Sequence, residues 1–370
     1  MTDSPYPEIS FETHASDTPA PAAERERVMA EPGFGAVFTD HMCTIRWSQE
    51  QGWHDARLEP YGQVTLDPAA AVFHYGQEIF EGLKAYRQAD GSICAFRPQA
   101  NAARFNRSAE RLAMPALPPA AFVKALEVLV SQDRGWVPAE HGRSLYLRPF
   151  MIATQRGLGV NRPSSTYLFT VIASPVASYF GAATAVTVWL SPDYIRAAPG
   201  GTGEAKCGGN YAAAFAGQLQ ALEHGCDQVV WLDAAERRYV EEMGGMNLFF
   251  VYGSGSEARM MTPAPTGSLL HGITRDSLLK LGPDMGIPTH EGRISVPEWQ
   301  AGCASGEITE VFACGTAAVI TPVGAVRGAD ADWVIGDGTP GPVATRLRDE
   351  LVGIQYGTRP DPYGWIHPLC

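Results

Sequence analysis

The chain has 370 residues, of which 45% are hydrophobic and 18% charged, so it can bury a large core and has the length of two domains. The formal net charge of −12 disfavours nucleic acids and anionic membrane surfaces as partners. No apolar run approaches the roughly 20 residues that cross a bilayer, and residues 1–5 lack the features of a signal peptide. A soluble, cytoplasmic protein is therefore expected.

Residues 1–32 are rich in Pro, Ala, Ser and Glu and are expected to form a loosely held N-terminal arm. A strand-like stretch follows at residues 33–38. Apolar residues at helical spacing predict a helix over 122–130. Residues 166–172 have the composition of a buried strand.

The second half alternates strands and helices more regularly. We expect two mixed α/β domains, over 33–180 and 196–370, joined by a linker at 181–195 that starts with small and polar residues. Gly282 and Pro283 are expected to stop the helix that begins at residue 274. Strands are predicted at 186–190, 229–232, 247–251 and 308–312, and helices at 209–224, 274–281 and 342–355.

The seven cysteines are odd in number, scattered and never spaced as CxxC, which argues against a disulfide framework or a zinc site. No bound metal is expected. Only four of the 28 basic residues are lysines, so chemistry that requires an amine nucleophile has four candidates. Lys84, Lys124 and Lys280 have ordinary strand or helix surroundings.

Lys206 differs because five glycines lie within residues 200–209 around it. Glycine lets the backbone approach a ligand closely. Taken alone, a lysine in a flexible loop remains the simpler interpretation, and the chain contains no GxxxxGK[ST] phosphate loop.

Three other segments contain potential ligands: the acids Glu241 and Glu242 before a strand, a glycine-to-helix transition at 271–279, and the Gly315-Thr316 turn. Each has an ordinary explanation by itself. Together with Lys206 they match what pyridoxal phosphate needs. Its aldehyde requires a lysine, its ring nitrogen a carboxylate, and its phosphate N–H, hydroxyl and arginine donors.

The chain resembles the branched-chain amino-acid aminotransferases of the fold-type IV pyridoxal-phosphate class. The resemblance covers roughly residues 33–357 and rests on motifs at 74–86, 96–98, 104–109, 205–211, 242–247, 271–279 and 311–317. It implies a small α/β domain, a larger pseudo-barrel α/β domain with the cofactor between them, and a homodimer in which a loop of the partner closes each site. The implied reaction is reversible transamination of leucine, isoleucine and valine with 2-oxoglutarate, giving branched-chain 2-oxo acids and glutamate.

The same resemblance implies a role for each matching residue. Lys206 would form the Schiff base with the cofactor and move the proton, and Tyr211 would donate to the phenolic oxygen of the ring. Glu242, rather than Glu241, would pair with the ring nitrogen. The phosphate would be held by Arg104, the backbone N–H groups of Ile273 and Thr274, and Thr316.

The substrate carboxylate would be received by Tyr75 and the backbone of Ala317. The apolar side-chain pocket would be formed by Phe34, Phe80, Tyr146 and Tyr179, although simple core packing is an alternative for each of these aromatics. The pocket must accept both an aliphatic side chain and the carboxylate of glutamate, so amphipathic tyrosines are suitable walls. Arg148 is the candidate positive charge behind them.

Two positions depart from the family pattern. Gly245 stands where many members have threonine, and Ala318 and Thr321 replace the CxxC redox pair of animal members. Among alternatives, D-amino-acid aminotransferases and aminodeoxychorismate lyases share the lysine and the acid but lack the long N-terminal signature. A non-enzymatic small-molecule carrier would not need Lys206.

Overall fold

The computed structural model describes residues 9–177 and 185–370. The chain divides into two compact units. The first comprises Met1–Tyr179, Ala205–Gly208 and Gly353–Cys370, and the second comprises Phe180–Glu204 and Gly209–Val352. This division differs from the predicted domains because the Lys206 segment and the C-terminal segment belong to the first unit. Tyr179 and residues 181–184 of the predicted linker lie outside the described residues.

The elements run as follows in chain order. The strands are β1 Glu12–Thr13, β2 His41–Ser48, β3 Gly52–Pro60, β4 Glu78–Phe80, β5 Leu83–Arg87, β6 Ile93–Phe96, β7 Ser144–Ala153, β8 Thr166–Val176, β9 Val186–Leu190, β10 Gln228–Leu232, β11 Val240–Met243, β12 Met246–Tyr252, β13 Arg259–Pro263, β14 Thr289–Gly292, β15 Ile308–Gly315, β16 Val319–Arg327, β17 Trp333–Val334 and β18 Ile366–Pro368. The helices are α1 Ala22–Ala30, α2 Ala71–Tyr75, α3 Pro98–Arg111, α4 Pro119–Gln132, α5 Gly208–Glu223, α6 Ile273–Asp284, α7 Val296–Ser305 and α8 Pro342–Gln355. No helix in the described parts of the chain has the length and apolar character needed to cross a membrane.

The first unit is built on a nine-stranded sheet in the order β1-β3-β2-β8-β7-β5-β6-β18, with β4 paired to β7. Helices α3 and α4 contribute Phe105 and Phe122, which pack against Phe169 of β8 in the hydrophobic core. The C-terminal strand β18 pairs with β6. This long-range pairing explains why the end of the chain belongs to the first unit.

The N-terminal part differs from the sequence prediction. Residues 33–38 form turns instead of a strand, because Gly33 and Gly35 adopt positive φ angles of 64° and 68°. The described part of the arm before them, residues 9–32, is anchored rather than loose. The carboxylate of Asp40 accepts hydrogen bonds from the Ala20 backbone N–H (2.8 Å) and the Trp136 Nε1–H (2.7 Å).

The second unit contains the predicted pseudo-barrel. Strands β11, β10, β9, β16, β15 and β12 form a closed ring, since β11 pairs with both β10 and β12. The predicted strand 186–190 is confirmed as β9, so these residues belong to the barrel and not to a linker. Val188, Phe250 and Trp299 are part of its hydrophobic core. The predicted mixed α/β fold is confirmed.

The expected helix stop at Gly282 and Pro283 is wrong, because α6 continues to Asp284. Gly282 serves packing instead. A Cβ atom at this position would overlap the Thr289 hydroxyl and lie only 2.9 Å from the Met260 methyl group.

Candidate active site

The backbone around Lys206 is fixed within the first unit. Ala205 and Cys207, on either side of it, are buried in the hydrophobic core. The Lys206 N–H donates to the Ser108 hydroxyl (2.9 Å), and the Lys206 carbonyl accepts from the Phe80 N–H (2.9 Å). These anchors use only backbone atoms of Lys206, so its side chain is presented from a rigid base.

Four of the residues predicted for the substrate pocket lie together beside this lysine. The Lys206 Nζ lies 4.8 Å from the ring centre of Phe80, and the Cζ of Arg148 lies at the same distance from that ring. Arg148 is also 5.3 Å from the ring centre of Tyr146, and its Nη2 donates to the Tyr146 hydroxyl (3.3 Å). Phe34 contacts Tyr146 edge-on, with 5.1 Å between ring centres.

Arg148 retains an unused donor in this cluster. Its Nε atom is buried and has no acceptor among the described residues. A buried N–H without an acceptor is unfavourable, so a carboxylate ligand would be a suitable partner. Gly82 makes the arrangement possible, because any Cβ atom there would overlap the hydroxyl of Tyr146.

Arg104 is held by an acid that the sequence interpretation missed. Its Nε and Nη2 donate to Oε1 and Oε2 of Glu81, both at 2.7 Å, and Asn101 donates to Oε2 (2.8 Å). Burial acts to raise the pKa of Glu81, but the charge and hydrogen bonds of Arg104, with Lys206 and Asn101, hold it below its usual value. The signal in the sequence is an acid inside the apolar run 79–83.

Two further residues of the first unit differ from their predicted surroundings. Tyr75 donates to the carbonyl of Leu158 (2.5 Å) and lines a cavity of about 620 Å³ together with Gln155, Gly157 and residues 159–164. Its described contacts do not support the predicted carboxylate role, which stays a prediction. Lys84, interpreted from the sequence as ordinary, is buried, and this burial lowers its pKa to about 8. It pairs in register with Tyr146.

In the second unit, Glu242 is buried on β11. Its Oε1 accepts from the Asn247 side-chain amide (3.1 Å) and the Leu270 backbone N–H (2.8 Å). Its Oε2 lies 2.8 Å from Nε of Arg196, but that N–H is not aligned with it, and Oε2 accepts no hydrogen bond from the described residues. The protonated ring nitrogen of pyridoxal phosphate would supply the missing donor, so the residues present fit the cofactor.

Glu241 has different surroundings from Glu242. Its Oε1 accepts from the hydroxyls of Thr266 (3.2 Å) and Ser268 (2.5 Å). Burial raises the pKa of Glu241, and the nearby charge of Glu242 adds to the shift. Among the described residues, the Arg196 guanidinium forms an ion pair with Glu242 and not with Glu241.

Asn247 connects this acid to the predicted phosphate site. Its amide also donates to the Leu270 carbonyl (3.1 Å), and a Cβ atom on Gly272 would overlap its Oδ1. Gly272 is the residue before α6, whose first residues are Ile273 and Thr274. A helix N-terminus favours an anion through its N–H groups and its dipole.

The remaining predicted ligands also lie in the second unit. Tyr211 is in the first turn of α5, and a Cβ atom on Gly245 would lie 3.3 Å from its Cε1. Glycine in place of the usual threonine therefore leaves room for the tyrosine ring. Thr316 and Ala317 are in the turn that joins β15 to β16.

Comparison with known proteins identifies the family. Residues 78–326 match the family described as amino-transferase class IV. The chain belongs to the class IV aminotransferases. A branched-chain-amino-acid aminotransferase of Mycolicibacterium smegmatis is 59% identical to this class IV aminotransferase over 98% of each chain. The predicted family and enzyme class are thereby confirmed.

Two solved structures support the fold of this class IV aminotransferase. The branched-chain amino acid aminotransferase of Escherichia coli is 28% identical, with a TM-score of 0.72 and coverage of 88% of this chain and 99% of that one. A second branched-chain amino acid aminotransferase, from T.th. and complexed with N-(5'-phosphopyridoxyl)-L-glutamate, is 29% identical, with a TM-score of 0.69 and coverage of 88% and 98%. The predicted fold-type IV architecture is confirmed.

Proposed function

We propose that this chain uses pyridoxal phosphate to exchange the amino group between leucine, isoleucine or valine and 2-oxoglutarate. The observation that carries the proposal is that Lys206 and Arg148 contact the same ring of Phe80. An amine nucleophile thus lies beside an apolar surface that carries the half-buried cation of Arg148. This combination suits a reaction in which both an aliphatic and an acidic substrate are bound in turn.

The chain offers the ligands that the cofactor requires. When bound, pyridoxal phosphate supplies an aldehyde that accepts amino groups and a ring that withdraws electrons from the substrate α-carbon. Glu242 would accept a hydrogen bond from the ring nitrogen through Oε2, and Tyr211 would donate to the phenolic oxygen. The phosphate would be held by Arg104, the N–H groups of Ile273 and Thr274, and Thr316.

Lys206 has two tasks at one atom. Its Nζ would hold the cofactor covalently, and as a free amine it would accept the proton that leaves the substrate α-carbon. The backbone hydrogen bonds to Ser108 and Phe80 keep residues 205–207 in place while the Lys206 side chain performs both tasks. The ring of Phe80 excludes water on one side of the amine.

The substrate side chain binds to the cluster of Phe34, Phe80, Tyr146 and Arg148. The ring faces accept a branched aliphatic group, and each buried methylene contributes roughly 0.8 kcal/mol. The Nε of Arg148 and the hydroxyl of Tyr146 provide the polar partners that the glutamate carboxylate needs. One pocket can therefore serve both half-reactions.

A coupled assay tests this proposal. Purified protein should convert leucine, isoleucine and valine with 2-oxoglutarate at least tenfold faster than D-alanine, and it should not form 4-aminobenzoate from aminodeoxychorismate. A yellow colour of the purified protein that borohydride bleaches would exclude a non-enzymatic small-molecule carrier. Preference for D-alanine, or lyase activity, would contradict the substrate assignment.

A homodimer with a loop of the partner at each site is part of the same proposal, and so is a cytoplasmic location. Light scattering of the purified enzyme should give a mass near twice the 39.8 kDa of one chain. A monomer with full activity would contradict the dimer.

A further inference from the structure

Arg196 occupies a central position in the second unit, although no sequence motif singled it out. Its side chain is buried. The Nη1 atom donates to the carbonyls of Gly203 (3.1 Å) and Ser268 (2.5 Å), and the Nε atom lies 2.8 Å from Oε2 of Glu242. One guanidinium therefore contacts three separate parts of the unit.

The two carbonyls belong to segments that touch directly. A Cβ atom on Gly203 would overlap the backbone of Ser268, so a side chain there would separate the segments. Residues 196–204 lead along the chain to Lys206, and residues 264–272 lead to the start of α6. The Arg196 side chain binds these two segments to each other at their contact.

Ser268 is also held from its other side. Its hydroxyl donates to Oε1 of Glu241 (2.5 Å), while its carbonyl accepts from Arg196. Ser268 thus contacts Glu241 through its hydroxyl and Arg196 through its carbonyl. Among the described residues, Glu242 rather than Glu241 forms the ion pair with Arg196.

We propose that Arg196 is a positioning residue for transamination, which pairs its positive charge with Glu242 and holds that carboxylate in place for the ring nitrogen. The proposal rests on the proposed role of Glu242 as the acid for that nitrogen. A buried carboxylate needs a paired cation to remain charged. Arginine suits the position because its guanidinium does not deprotonate and its planar group reaches a carboxylate and two carbonyls at once.

Two replacements of Arg196 separate charge from hydrogen bonding. Arg196→Lys keeps the charge, whereas Arg196→Gln keeps a donor for the carbonyls and removes the charge. We expect Arg196→Gln to raise the dissociation constant for pyridoxal phosphate at least tenfold and Arg196→Lys less than threefold. Arg259→Met is the control, because Arg259 is an exposed arginine of the same unit that pairs with Glu307 (3.3 Å).

A double-mutant cycle shows whether Arg196 acts through Glu242. In a Glu242→Gln background, Arg196→Gln should change the dissociation constant less than twofold, because no carboxylate remains to be charged. The pH dependence of the visible absorption band of the holoenzyme should differ from wild type in Arg196→Gln. In Arg196→Lys it should remain that of wild type.

Three outcomes would overturn parts of this inference in distinguishable ways. Equal losses of cofactor affinity in Arg196→Lys and Arg196→Gln would show that the positive charge of Arg196 does not contribute to cofactor binding. An undiminished loss in the Glu242→Gln background would show that Arg196 is merely structural. Normal cofactor affinity in Glu242→Gln alone would instead refute the role proposed for Glu242.

Discussion

Glu81 and Arg104 form a buried ion pair with two hydrogen bonds of 2.7 Å each. A planar guanidinium matches a carboxylate in this geometry, which lysine cannot reproduce. Asn101 adds a third hydrogen bond to the acid. The orientation of Arg104 is thus fixed by the protein itself, independently of any bound phosphate.

Arg104→Met should destabilise the enzyme by about 3–5 kcal/mol at pH 7, because it leaves Glu81 buried without the cation that pairs with it. Urea unfolding at equilibrium measures this loss. The matched control is the double variant Arg104→Met/Glu81→Leu, which removes both charges and should recover a large part of the lost stability. A double variant less stable than the single one would contradict this explanation.

The same pair gives a pH prediction. Because Arg104 lowers the folded-state pKa of Glu81, the stability it contributes is present above the unfolded pKa of about 4.3. That stability is lost as the pH falls through the lower pKa that Glu81 has in the folded state. In Arg104→Met, only Lys206 and Asn101 still oppose the effect of burial, so the pKa of Glu81 should rise and the stability deficit against wild type should shrink as the pH falls from 7 to 5. A deficit that is constant over this range would be evidence against the assignment.

Lys206→Ala should lower turnover by several powers of ten while leaving the fold intact. The amine is needed for both tasks of the lysine, whereas the contacts with Ser108 and Phe80 use the backbone and survive the change. Initial rates with leucine and thermal unfolding together check this. Lys124→Ala, at an exposed helical lysine paired with Glu127, is the control and should behave as wild type. Activity above about a tenth of wild type would exclude Lys206 as the catalytic amine.

Much of the fold could be predicted from the sequence because its signals are local, whereas the site residues came from the family resemblance. The hydrophobic strand 186–190 and the apolar spacing of helix 342–355 gave the observed bounds of β9 and α8. Local sequence patterns gave wrong predictions where the conformation or packing of a glycine determines the structure. Gly33 and Gly35 produce turns, and Gly282 allows close packing within a helix.

The supporting charges could not be predicted because they are paired across long sequence distances. Arg196 and Glu242 are separated by 46 positions, and Glu81 and Arg104 by 23. No periodicity connects such residues. Only the folded chain shows that each predicted ligand, Arg104 or Glu242, depends on a buried partner of opposite charge.

Glu242→Gln should weaken catalysis far more than Glu241→Gln. A neutral amide cannot keep the ring nitrogen protonated, so the electron-withdrawing function is lost. At Glu241, the Oε1 of a glutamine can still accept the hydrogen bonds that the hydroxyls of Thr266 and Ser268 donate, so the local contacts survive. The two values of kcat with leucine provide the comparison. Similar losses in both variants would mean that the wrong acid was chosen.

Mild peroxide should leave most of the activity intact. Position 318 is alanine and position 321 threonine, so the redox pair of animal members is missing. Burial raises the pKa of Cys43 and Cys314 far above the usual range and that of Cys303 to about 11, which keeps these thiols protonated and slow to oxidise. Residual activity after timed exposure is the measurement. Rapid loss that a reductant reverses, and that Cys207→Ser prevents, would contradict the prediction.

The last prediction concerns the cation in the substrate pocket. Arg148 lies against the rings of Phe80 and Tyr146, and its buried Nε has no acceptor among the described residues. Arg148→Met keeps an unbranched apolar chain over those rings but removes the charge and the donor. The KM for glutamate should therefore rise more than about tenfold and that for leucine less than about threefold, a difference of at least roughly 0.7 kcal/mol.

Tyr146→Phe is the matched control for this variant, because it removes the hydroxyl that accepts from Arg148 and leaves the guanidinium in place. If charge is the main contribution, Tyr146→Phe should raise the KM for glutamate clearly less than Arg148→Met does. A carboxylate gains more from a cation than from a neutral hydroxyl, because hydrogen bonds between charged groups are roughly twice as strong. Equal effects of Arg148→Met on glutamate and leucine would show that Arg148 only supports the rings, and the charge that binds glutamate would then lie elsewhere.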